Sequence, residues 1–253
     1  MQVLIKAVKA GDESSARVAV DLIGYRIAHV QQDALRGMSS EAFDLIFEAL
    51  TLTARDGGGD SYWWGRSLST LASGDPSRAA KAASLSLCGE YFQQEEAQKI
   101  LVELAHAHPE EVMQNVGAVM LDEKSGIRFF VGHYRGLFNS LPLNVISRWL
   151  DIAGVNGARK LARHLPVPYI GPGGEPVVPE LTEFVLEKFE DDDRTFAEFC
   201  AGTYSSGQLI GNFASQFEAE AETGLNTPVR TSRLHTHWCR CDTESELKME
   251  ILD

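Results

Sequence analysis

Apolar residues recur along this chain at steps of three and four. Over 75–88, Ala79, Ala80, Ala83 and Leu87 fall on one side, with Leu85 and Cys88 at its flanks. Over 92–107 the stripe is Phe92, Ala97, Ile100, Leu101 and Leu104, and over 109–121 it is Val112, Met113, Val116, Val119 and Met120. Ile127, Phe130, Tyr134 and Leu137 keep the spacing over 127–138, and Val145, Ile146, Trp149, Leu150 and Ala153 over 142–153. Steps of i, i+3, i+4 and i+7 place side chains on one face of a 3.6-residue turn, so each stretch predicts an amphipathic helix. Further helices are predicted over 3–10, 14–31, 40–54, 154–164, 179–189, 193–204, 206–222 and 228–239. Strand-like alternation is scarce, and the predicted class is all-α.

Proline marks where several of these helices begin. Pro76, Pro109 and Pro142 lie 33 residues apart. Asp75-Pro76 reads as an N-cap acid before a first-position proline, and Pro109 is followed by Glu110 and Glu111. Proline suits the first helical position because the N–H it lacks would go unpaired there anyway, and acids in that turn meet the positive end of the helix dipole. Aligned from each proline, three residues on come Ala79, Val112 and Val145, and four on come Ala80, Met113 and Ile146. Seven on come Ala83, Val116 and Trp149, and twenty-eight on come Leu104 and Leu137. A fixed period of this length points to stacked helical units.

Two stretches interrupt the helices. Residues 54–61 contain Gly57-Gly58-Gly59, where ordering costs the most backbone entropy. Residues 165–179 hold five of the nine prolines with Gly171, Gly173 and Gly174, an extended connection that serves either as a linker or as a strap packed through Val167, Tyr169, Ile170, Val177 and Val178. The apolar content favours the strap. The expected organisation is a helical array over 1–164, the Pro/Gly-rich connection over 165–179, and a continuing helical region over 180–253.

Helix pairs without strands, together with the segment 149–168 and its turn glycines Gly154 and Gly157, resemble the HEAT and armadillo α-solenoids. The tetratricopeptide and ankyrin patterns are absent from the sequence. The resemblance implies antiparallel helix pairs stacked as a HEAT-like α-solenoid, and a surface for binding another macromolecule, used as a scaffold or sensing arm.

Charge narrows the partner. Formal net charge is −13, and residues 180–222 hold eleven acids, Asp191, Asp192 and Asp193 among them, against Lys188 and Arg194. So acidic a chain is poorly suited to non-specific grip on phosphate backbones, which needs clustered Lys and Arg. The expected partner is another protein. No apolar run approaches the ~20 residues of a membrane span. Lys6 and Lys9 break up the apolar start, which reads as helix and not as a secretion signal. Four cysteines at uneven spacing form no disulfide framework and fit a reducing cytoplasm.

The candidate chemistry is sparse. Tyr62-Trp63-Trp64-Gly65-Arg66 gathers the residue types that dominate binding hot spots, because they bury much area at low entropy cost. Neighbours on a helix sit about 100° apart, so one tryptophan is expected in the core and the other at a contact. His235, His237, Cys239 and Cys241 are all zinc-ligand types, but alternate positions converge on one ion neither on a helix nor on a strand. Asp56 and Asp60 supply too few oxygens for calcium. Gly57–Gly59 lacks the Gly-Lys-Ser/Thr of a phosphate loop. Glu103 and His106 have a di-iron spacing without its second copy. A nucleophile pair drawn from Cys88 or Cys200 with His133 or His164 is open in principle, although Cys88 lies on an apolar stripe and reads as an inert thiol. No cofactor is expected. The leading reading is a non-enzymatic scaffold with Tyr62, Trp63, Trp64, Arg66 and the Asp191–Asp193 acids as contacts. The alternatives are a metal-dependent enzyme or zinc protein built on the terminal His/Cys cluster, and a helical bundle holding a small ligand.

Overall fold

The proline and acid signals act where the pattern places them. In the computed structural model, Asp75 caps a helix that begins at Pro76, its carboxylate accepting from the Arg78 N–H at 3.0 Å. Pro109 likewise opens its helix, ahead of Glu110 and Glu111. Pro142 stands one residue earlier, and its carbonyl accepts from the N–H groups of Val145 and Ile146 at 3.0 and 3.3 Å. The structure describes residues 2–30, 38–55, 61–89, 91–122, 136–170, 172 and 176–205.

Among these residues ten α-helices run in order: α1 (Gln2–Lys9), α2 (Glu13–Val30), α3 (Ser40–Leu52), α4 (Ser61–Ala72), α5 (Pro76–Ser86), α6 (Tyr91–Ala107), α7 (Pro109–Leu121), α8 (Leu143–Ala162), α9 (Glu180–Lys188) and α10 (Asp193–Ser205). The all-helical class is as predicted. Within the Pro/Gly-rich connection, Tyr169–Ile170 (β1) pairs antiparallel with Pro176–Val177 (β2). Leu165 and Pro168 are buried, and Thr182 Oγ1 donates to the Pro166 carbonyl at 2.6 Å.

Two differences from the pattern stand out. The helix predicted over 127–138 lies mostly outside the described residues, and its end, Leu137–Ser140, is a single 3-10 turn. Nothing in the periodicity assigned a helix to 61–72, yet α4 is there. Its Gly65, three serines and Thr70 are modest helix formers, and they obscure the Trp64, Leu68 and Leu71 stripe that buries it.

The chain separates into two compact units, Met1–Gly157 and Ala158–Asp253. In the first, α1 packs on α2 and α3, α2 on α3 and α4, α3 on α4 and α5, α4 on α5 and α6, α5 on α6 and α7, and α6 on α7 and the 3-10 turn. Each contact joins elements one or two apart in chain order. The aligned positions Ala79, Val112 and Val145, Ala80, Met113 and Ile146, and Leu104 and Leu137 are all buried, as are Ala83 and Val116; Trp149 is half-buried. In the second unit, Leu161, Leu165, Leu181, Val185 and Phe199 are buried. Arg159 there meets Asp192, and Arg163 donates to Glu198.

Within α8, Gly154 takes φ 59° and ψ −153°, a conformation essentially closed to side chains. Helix resumes after it, so the turn expected near Gly154 and Gly157 is made by Gly154 alone.

Candidate functional site

A surface helix buries one apolar stripe and leaves its other faces to water; α2 has apolar residues on both sides. Ala16, Ala19, Val20 and Ile27 are buried, while Val18, Leu22 and Tyr25 are 48%, 64% and 57% exposed. Those three follow at steps of four and three, so they share one outward face.

Helix α4 lies beside α2, and Gly24 sets how closely. A Cβ at Gly24 would stand 2.6 Å from Ser67 Oγ, so only a bare backbone fits there. The close approach puts the Tyr25 ring edge-on to Trp63, centroids 5.4 Å apart, and Tyr62 also contacts Trp63 edge-on at 4.9 Å. Edge-to-face pairs at these separations are attractive because a positive ring edge meets a negative ring face. Ser67 Oγ itself is buried with no hydrogen-bond partner among the described residues.

The adjacent tryptophans take different roles. Trp63 is half-buried between two exposed tyrosines, whereas Trp64 is fully buried and its indole N–H donates to the Leu50 carbonyl at 3.0 Å. Trp64 is therefore a core residue and leaves the contact set, because adjacent residues on α4 point about 100° apart. Tyr62, Trp63 and Arg66 remain at the surface. The sequence reading missed Val18, Leu22 and Tyr25, and the signal was a second apolar stripe on a helix already carrying a complete one.

Three basic residues border this face. Arg17 lies beside Val18, Arg26 is four residues after Leu22, and Arg66 is four after Tyr62; all are exposed. Acids stand among them: Glu13 and Asp21, each four residues from Arg17, are exposed, and the Glu96 side chain lies against Gly65.

The aspartate run divides as well. Asp191 and Asp193 are exposed. Asp192 is instead occupied within the chain. Its carboxylate accepts from Arg159 Nε at 2.8 Å and Nη2 at 2.5 Å, and it caps α10 by accepting from the Thr195 N–H at 3.0 Å and hydroxyl at 2.7 Å. The Arg159 guanidinium and these further donors hold the Asp192 carboxyl well below the usual carboxylate range. Most of this carboxylate's acceptor capacity is thus used within the chain.

Among the described residues, the other titratable candidates are each accounted for locally. Burial pushes the half-buried Cys88 thiol up, against the opposing pull of Arg55, so it stays a thiol at neutral pH. Burial and the neighbouring Arg163 lower His164 to about 4. His106 Nδ1–H donates to the Val102 carbonyl at 2.7 Å, and both His106 and Glu103 face solvent, which accounts for the pair without a metal. Among the described residues no three His, Cys, Asp or Glu side chains gather as a metal site. None of the described helices is long and apolar enough to cross a membrane. His235, His237, Cys239 and Cys241, the acidic stretch beyond 205, His133, and the loop with Asp56, Gly57–Gly59 and Asp60 lie outside the described residues.

The most developed feature is thus an aromatic and aliphatic face spanning α2 and α4, edged by arginines. Compared against protein families, curated proteins and solved structures, the chain matches none.

Proposed function

We propose that this chain is a non-enzymatic helical-repeat module of the HEAT-like kind, which binds another protein through the outward face of α2 and α4. The observation that carries the reading is Trp63 half-buried between the exposed rings of Tyr25 and Tyr62, with Leu22 and Val18 extending the apolar surface. Contiguous exposed apolar area of this kind is unusual on a surface that meets only water. Rigid aromatics beside arginine are the side chains that supply most binding energy in protein interfaces.

The repeat part of the reading has separate support. Helices α3, α5, α7 and α8 begin at Ser40, Pro76, Pro109 and Leu143, intervals of 36, 33 and 34 residues. Packing between elements one and two apart in the chain is what stacked helix pairs produce. One ion pair spans a similar interval, Arg78 meeting Asp44 at 2.5 Å, 34 residues back.

Site-specific crosslinking tests the binding surface. A photo-crosslinking phenylalanine analogue placed at Tyr62 in cells is expected to capture one protein reproducibly, and Arg66→Glu is expected to abolish the adduct. The same analogue at Ser77, exposed on α5, is the control. Equal capture from both positions would remove the α2–α4 face as the site.

A further inference from the structure

We draw no further inference here: the strongest candidate, the exposed apolar face of α2 and α4 formed by Val18, Leu22, Tyr25 and Tyr62, is edged by arginines and acids together, and nothing in the structure shows what covers it.

Discussion

His164, in the turn that follows α8, is kept neutral by burial, with the Arg163 guanidinium adding to the effect. Its folded pKa of about 4 lies below the ordinary 6.5. Below pH 6.5 the unfolded chain takes up a proton that the native chain refuses, so stability is complete above that value and falls as pH drops toward 4. The expected loss is roughly 1–3 kcal/mol across that window. Urea unfolding at pH 7 and pH 4.5 measures it, and His164→Gln should flatten the difference. Asp192 acts lower on the scale. Its folded pKa is depressed, so its contribution is present above the usual carboxylate value and is lost only as pH falls further. Asp192→Ala removes the cap of α10 as well as the Arg159 contact, and the cap alone is worth about 0.5–2 kcal/mol. Asp191→Ala, at an exposed side chain, should stay within about 0.5 kcal/mol, and a shift in the urea midpoint for Asp191→Ala as large as for Asp192→Ala would contradict this assignment.

At the scale of elements, the α2–α4 contact is tight and also imperfect. Gly24 allows the approach, but Ser67 Oγ is buried there with no hydrogen bond among the described residues. Gly24→Ala alone pushes a methyl against that oxygen, so the new contact offsets the gain of about 1 kcal/mol that alanine brings to a helix interior. Adding Ser67→Ala removes the obstruction, since the next nearest atom, the Trp63 carbonyl oxygen, is at 3.4 Å. The double variant should therefore be about 1 kcal/mol more stable than the parent, with a clear coupling in a double-mutant cycle. Gly154→Ala has no such remedy. Its φ and ψ belong to glycine, and the substitution should cost about 1–3 kcal/mol in thermal or urea unfolding. The stripe of α7 was plain in the sequence because the helix carries a single one, whereas α5 also buries Ala82, Ser84 and Ser86 beside the stripe that the pattern marked. The stripe of α4 was not plain, because Gly65, Ser67 and Ser69 interleave with Trp64, Leu68 and Leu71. The small residues are there for close packing, which a reading of hydrophobicity alone does not register.

At the largest scale described, within the first unit, packing between near neighbours predicts local coupling. Helix α1 packs on α2 and α3. Deleting residues 1–12 should speed amide exchange in α2 and α3 and leave α6 and α7 near their parental protection. Uniform loss of protection would instead mean a single cooperative core. The amino-acid sequence by itself determined the all-helical class, where α5 and α7 start, and which residues of α7 and part of α5 and α6 turn inward, because proline, capping acids and a 3.6-residue period act within one helix. Tertiary structure decided which stripe of α2 faces water, which of Trp63 and Trp64 is core, and that Asp192 is bound to Arg159. A period identifies the faces of a helix only relative to one another; the neighbour that covers one of them arrives from elsewhere in the chain.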